Sequence, residues 1–259
     1  MQKIGKNHEI IQFFKDSIKT NKHKDITISD DLEVLSLVEQ YNISILYLLY
    51  TPEIDYQEET KNLLNSLLST ARESYEISLS LYQQLCLKEN HAGILAAMKL
   101  PEYSFTDLKD FILVLDHLEI PGNIGTIYRT LDACKADGVI MVDSITKRHN
   151  PKITSSARGT NLIIPTVTAT YEEALKFLLD NDYTVFLGEP ELGQNYQQYT
   201  YKGKIAIVVG NERFGINPDW YNHPHKKVFI PMGGNNNSLN VGVAASIIAY
   251  EAAMKRNNF

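Results

Sequence analysis

Residues 228–253 read VFIPMGGNNNSLNVGVAASIIAYEAA. Val228 to Ile230 form a short apolar run of the kind a buried strand needs, and Pro231, with no N–H for a ladder, ends it. A tight turn follows, because Gly233 and Gly234 accept positive φ without strain and Asn235 to Asn237 are the next most tolerant residues. Ser238 is placed to cap a helix from Leu239 to Ala253. Val241, Val243, Ala244, Ala245, Ile247, Ile248 and Ala252 make that helix apolar on nearly every side, so it is expected to be buried. Ser238 and Asn240 then stand beside the free N–H groups of a buried helix start, where an anion or the polar edge of a ligand is favoured. An ordinary capped helix would read the same way.

Two other stretches repeat the pattern. Phe111 to Leu115 is an apolar run followed by Pro121-Gly122-Asn123-Ile124-Gly125-Thr126-Ile127-Tyr128-Arg129, and Ile205 to Val209 is followed by Gly210-Asn211-Glu212-Arg213-Phe214-Gly215. Each is a strand entering a glycine-bearing turn with a charged residue, where open α/β sheets collect ligands. With Asn-x-Gly-x-x-x-Arg, then Gly-x-Glu-x-x-Gly, then Ile-Pro-Met with Ser-Leu-Asn-Val, the chain resembles the SpoU/TrmH family of RNA ribose 2′-O-methyltransferases, in the SPOUT class. The resemblance covers about Asp110 to Glu251.

Length and composition suit two soluble α/β domains, expected at 1–105 and 106–259. No run approaches membrane-spanning length and Met1 to Glu9 lacks the apolar core of a signal peptide, so a cytoplasmic protein is expected. Cys86 and Cys134 stand alone and imply neither a disulfide framework nor a zinc site. His223-Pro224-His225 lacks further ligands nearby, and no metal is expected. The net charge of −6 argues against a nucleic-acid partner until it is located: 1–105 carries ten basic and fifteen acidic residues, 106–259 fifteen and sixteen. Ser144 to Tyr171 contains Lys147, Arg148, Lys152 and Arg158 without one acidic residue, a patch suited to an RNA backbone or simply a solvated loop.

Along the first domain, helices are expected at 8–18, from Asp30 or Asp31 through Val38, at 56–68 and at 79–87, with strands at 26–28, 43–50 and 92–98. In the second, strands at 111–115, 138–142, 184–187, 205–209 and 228–230 alternate with helices at 124–133, 171–179 and 239–253, as in a parallel sheet. Neither the Gly-x-Gly-x-x-Gly fingerprint of dinucleotide binding nor a Gly-Lys-Ser/Thr phosphate loop is present.

The resemblance implies more than periodicity can. It implies a deep trefoil knot in the C-terminal domain, with the segment from about Gly210 threading a loop, and a small N-terminal domain resembling ribosomal protein L30e, whose last strand would be His91 to Ala96. It implies transfer of a methyl group from S-adenosylmethionine to an RNA ribose 2′-hydroxyl by a homodimer, with ribosomal RNA preferred over transfer RNA; a non-catalytic RNA-binding protein is the competing class. Arg129 matches the family's catalytic arginine, as phosphate clamp and alkoxide stabiliser or as base, the latter disfavoured because an arginine pKa lies above ~12. A structural salt bridge to Glu119 or Asp132 is its alternative role. Asn123, Glu212, Ser238 and Asn240 would order the polar network and the substrate. Leu187, Gly188, Gly210, Ile230 and Leu239 would hold the cofactor, largely through backbone groups. The chain departs from the family pattern at Gly242, where serine is usual, and at Ser155 to Gly159, where Arg158 stands in for an arginine placed earlier.

Overall fold

The computed structural model describes residues 2–87 and 92–257; His91, expected in the last strand of the first domain, lies outside them. In chain order the first elements are β1 (Gln2–Lys3), α1 (Glu9–Thr20), β2 (Ile26–Ser29), α2 (Leu32–Gln40), β3 (Ile45–Tyr50), α3 (Glu58–Thr70), β4 (Glu73–Glu76), α4 (Leu79–Leu85) and β5 (Ile94–Lys99). They are followed by β6 (Phe111–Asp116), α5 (Pro121–Ala133), β7 (Gly138–Val142), α6 (Pro151–Ser156), β8 (Thr166–Ala169) and α7 (Tyr171–Asp180). The last are β9 (Thr184–Glu189), β10 (Gln194–Asn195), β11 (Ile205–Val209), β12 (Lys226–Phe229) and α8 (Val241–Arg256). No helix of the described residues is long and apolar enough to cross a membrane.

The chain forms two compact units: Met1–Pro101 with Lys147–Ile163, and Glu102–Thr146 with Ile164–Phe259. The expected boundary at 105 is four residues late, and the expected continuity of 106–259 is corrected. The segment Lys147–Ile163 joins the first unit because its polar groups find partners there. Thr154 Oγ1 lies 2.9 Å from Thr27 Oγ1, His149 Nε2 donates to Asn21 O at 3.1 Å, and Leu162 enters an apolar cluster with Val34 and Leu35.

In the first unit a five-stranded mixed sheet, ordered β1-β4-β3-β5-β2, lies between two apolar layers. Ile10, Ile11 and Phe14 of α1 join Leu81, Tyr82 and Leu85 of α4 in one; Val34, Leu35 and Val38 of α2 join Leu63, Leu64 and Leu67 of α3 in the other. Helical spacing of these residues made the elements readable. His8 and Asp31 supply the side-chain caps of α1 and α2. Strands β1 and β4 have no apolar run and were not expected.

The second unit is built on a seven-stranded, wholly parallel sheet, ordered β10-β12-β9-β11-β6-β7-β8. Its central strands β6 and β11 are buried along their whole length, as strands covered on both faces must be. Ile112, Val114, Ile140, Val142, Leu187, Ala206 and Val208 pack with α7 and Trp220 on one face. Helix α8 packs on β11 and on α5, and the Tyr128 hydroxyl of α5 reaches Met141 Sδ of β7, on the other. Strand order reverses between β6 and β11, which marks the place outside the carboxyl ends where a ligand fits.

Two local expectations are corrected. The strand expected at 228–230 is β12, Lys226–Phe229. The last helix begins at Val241, and its N-cap is Asn240, whose Oδ1 accepts from Gly242 N at 2.9 Å and Val243 N at 3.4 Å; Ser238 is exposed in the preceding turn. Asn240 wins because its amide carries an acceptor for the helix and a donor for another partner at once.

Candidate active site

At the carboxyl ends of β6, β9, β11 and β12 the second unit holds a cavity of about 560 Å³. Val209, Ile216, Ile230, Met232, Leu239, Ala244 and Ile248 supply apolar walls, Asn123, Asn211, Ser238 and Asn240 a polar edge, and Glu189, Glu212 and Arg213 the charges. The size and the mixture suit a small organic ligand with one flat apolar part and one polar end.

The loop after β11 is the most tightly built part of the wall. Asn211 and Gly215 exchange two backbone hydrogen bonds of 2.9 Å, closing a short loop. A Cβ on Gly210 would stand 2.2 Å from the backbone of Gly215, so only glycine fits there, and Gly215 itself turns at φ +73°. Asn211 Oδ1 accepts from Arg213 N at 2.8 Å and Phe214 N at 3.2 Å, while its Nδ2 donates to His117 O at 2.8 Å and Glu119 Oε1 at 3.1 Å.

Glu212 then ties this loop to α5. That helix starts with Pro121 and no side-chain cap of its own. The Glu212 carboxylate accepts instead from the backbone N–H of Glu119 and Ile120, both at 3.2 Å, and from Asn123 Nδ2 at 2.8 Å. Asn123 Oδ1 in turn accepts from Asn240 Nδ2 at 3.0 Å. The orientation of every amide in this chain is determined, because a carboxylate can only accept and the N–H groups of α8 can only donate. Burial opposes the Glu212 charge, but the hydrogen bonds from Asn123 and from backbone N–H groups outweigh it and hold the carboxyl below its ordinary value. Glu189, another lining residue, accepts at Oε1 from the Tyr221 hydroxyl.

Of the residues expected to act together, Asn123, Glu212, Ser238, Asn240, Gly188, Gly210, Ile230 and Leu239 line this one cavity. Leu187 does not: its side chain is fully buried in the sheet core, and Gly188, Glu189 and Pro190 form the wall. The period of two along a strand turns neighbours to opposite faces. Arg129 is exposed on α5, outside the cavity lining. Among the described residues it has no ion pair, so the alternative salt bridge to Glu119 or Asp132 is absent, and Glu119 is engaged by Asn211.

Lys147, Arg148, Lys152 and Arg158 belong to the segment packed in the first unit and do not line the cavity. Arg148 Nε binds Asp25 at 3.1 Å with a further bond to Pro101 O at 3.0 Å, and Arg158 binds Glu33 at 2.8 Å. The patch therefore carries less free charge than its sequence suggests, while Lys147 and Lys152 remain exposed. Sequence reasoning missed Glu189, Asn211 and Arg213; the last two sit inside the turn that drew attention to Glu212.

The family described as SpoU rRNA Methylase matches residues 110–250. The 23S rRNA (guanosine(2553)-2′-O)-methyltransferase RlmP of Bacillus subtilis (strain 168) is 29% identical over 198 residues, 76% of this chain and 79% of its own. An AdoMet-bound rRNA methyltransferase from Sinorhizobium meliloti shares the fold with a TM-score of 0.86 at 20% identity, covering 100% of this chain and 98% of the other. The SpoU methyltransferase AviRb from Streptomyces viridochromogenes, in complex with AdoMet, does so with a TM-score of 0.82 at 22% identity, covering 97% and 100%.

Proposed function

This chain belongs to the SpoU rRNA methylase family, and from that premise we propose that it methylates a ribose 2′-hydroxyl of ribosomal RNA with S-adenosylmethionine as donor. The observation that carries the reading is the cavity lined by the start of α5, the loop after β11 and the segment between β12 and α8, with the Glu212–Asn123–Asn240 chain along its edge. The cavity fits the donor in volume and chemistry: apolar walls for an adenine ring, and backbone at Gly188, Gly210, Ile230 and Leu239 for its polar atoms. When bound, S-adenosylmethionine supplies a methyl group made electrophilic by its sulfonium.

The residues of this chain orient and stabilise. Both oxygens of Glu212 accept hydrogen bonds and its carboxyl is held ionised, so it fixes the loop and Asn123 and is poorly placed to take a proton. Arg129 remains for the charge that develops on the attacking oxygen. Arginine side chains stay protonated in proteins, so its part is to clamp a phosphate beside the target ribose and stabilise the alkoxide, while the hydroxyl proton passes to water.

Arg129 follows Asn123 by six residues, about 9 Å along α5, and is not among the residues that line its own cavity. On α8, which packs on α5, Val243, Ile247, Tyr250 and Met254 form an apolar stripe, with Val243 44%, Tyr250 46% and Met254 56% exposed. A homodimer through α5 and α8 covers this stripe, and the two-fold axis brings Arg129 to the cavity of the partner copy. The same reading takes the C-terminal segment from Gly210 as threaded into a trefoil knot; in its support, β11 is inserted between β6 and β9 and α8 returns to the start of α5. It takes the first unit, a small sheet between helix pairs, as an L30e-like domain for RNA, and a cytoplasmic setting goes with it.

The test is transfer of labelled methyl from S-adenosylmethionine to unmodified ribosomal RNA, with mass mapping of ribose methylation. A single 2′-O-methylated nucleotide is expected. Transfer to transfer RNA alone would change the substrate, and no transfer to either would leave an RNA-binding protein. Light scattering that gives a monomer at tens of micromolar would remove the role of Arg129 at a partner cavity.

A further inference from the structure

We propose that Phe214 is the platform on which a nucleobase of the RNA, swung out of its helix beside the target ribose, is stacked; this rests on the RNA methyltransferase reading above. Phe214 is 82% exposed, and the other phenylalanines among the described residues are far better covered. It sits at the tip of the loop after β11, between Arg213 and Gly215, both of which line the cavity.

A single exposed apolar side chain is ordinary in itself; what singles this one out is the way it is held beside a ligand cavity. This one is presented rigidly. The paired backbone bonds of Asn211 and Gly215 close the loop, and Asn211 Oδ1 holds the N–H groups of both Arg213 and Phe214. Glu212 fastens the same loop to α5. A ring whose backbone is fixed before binding loses little freedom on binding.

Its surroundings select the class of partner. Ile120 lines the cavity at 49% exposure, and Ile145, 64% exposed, lies on the loop fastened to Glu119 O through the Thr146 hydroxyl. The segments that border the cavity thus carry an exposed aromatic ring and exposed aliphatic side chains, together with Arg213, which lines the cavity and has no ion pair among the described residues. A flat π-system attached to a phosphate meets all three, whereas an aliphatic partner would leave the cation without a counterpart. Stacking tolerates every base, so Phe214 selects for an unstacked nucleotide and leaves base identity to other contacts.

The experiment compares wild type with Phe214→Trp, Phe214→Leu and Phe214→Ala in methyl transfer to an in vitro transcribed 23S rRNA, alongside S-adenosylmethionine affinity by calorimetry and mass by light scattering. Leu and Ala are expected to lower kcat/KM for RNA by about 10-fold or more, through KM, with cofactor affinity and mass unchanged and Trp within about threefold of wild type. An abasic nucleotide at the stacked position should cost wild type the same factor and the Leu variant almost nothing. The proposal is overturned if Leu matches wild type, or if Leu and Ala change mass or cofactor affinity, which would place Phe214 against a second copy or in the cofactor wall. A wild type that transfers no methyl group to RNA overturns this proposal together with the reading it rests on, whereas an active wild type matched by Leu overturns stacking alone.

Discussion

Two pairs of arginines, one pair in each unit, have opposite fates. In the segment packed into the first unit, Arg148 is nearly buried against Asp25 and Arg158 lies on Glu33. In the second unit, Arg129 and Arg213 are exposed and have no ion pair among the described residues. Along the sequence the first pair looks like the RNA patch, because no acidic residue stands near it. In space the acidic excess of the N-terminal residues answers it. The comparison teaches that the charge available to a polyanion is what remains after internal pairing, and among these four arginines it remains on α5 and in the loop after β11.

Arg129→Ala tests the free side of that comparison most severely. Methyl transfer to RNA is expected to fall by at least ~10²-fold, the scale lost when one group that stabilises developing charge is removed. Affinity for S-adenosylmethionine, measured by calorimetry, should stay within about threefold. Arg129→Lys should restore little, since a point charge does not reproduce a planar fork. A nearly active lysine variant would place Arg129 with the structural arginines.

Glu212→Gln asks the same question of an anion. Losing a carboxylate that serves three N–H donors should cost about 1–3 kcal/mol in urea unfolding at neutral pH. The carboxyl is held below its ordinary value in the folded protein, so its stabilisation is complete above the ordinary carboxylate range and disappears as pH falls through the lowered value. The glutamine variant should lack that part of the acid-side slope. Equal slopes for variant and wild type would mean that the carboxylate is held no lower when folded than when unfolded.

For the paired arginines smaller effects are expected. Arg148→Ala should lower stability by about 1–2 kcal/mol, since it frees Asp25 and Pro101 O together, while turnover of the folded enzyme on RNA stays within about twofold. Arg158→Ala, at an exposed pair, should change stability by no more than about 0.5 kcal/mol. If either variant instead weakened RNA binding tenfold with stability intact, the basic patch of the sequence would be reinstated and the comparison would fail.

What the sequence disclosed was local. Apolar blocks such as Phe111 to Leu115 and Ile205 to Val209, and turns such as Gly210 to Gly215, carry their conformation in their own residues, and eight of the expected site residues lie in one cavity. What escaped was settled at a distance. Strand β4, Glu73–Glu76, has no apolar run and exists because β1 and β3 pair with it. The cap of α8 passed from Ser238 to Asn240 because Asn123 was there to receive the amide. Leu187 turned inward because the sheet core needed it. The carboxylate partners of Arg148 and Arg158 lie more than a hundred residues earlier, beyond any local pattern.

The hydrogen-bonded chain along the cavity also sets an order of events in time. Its links join residues 89 and 117 positions apart, and the last of them, Asn240, is synthesised after all seven strands of its sheet. Contacts so distant in sequence form late, because the intervening loop must be closed before they give any return. In pulse-labelled hydrogen exchange during refolding, the amides of Gly242 and Val243 should gain protection after those of β6 and β11. A chain still being made would hold its sheet before its cavity, and so would stay inert toward the RNA that surrounds it on the ribosome until α8 had docked.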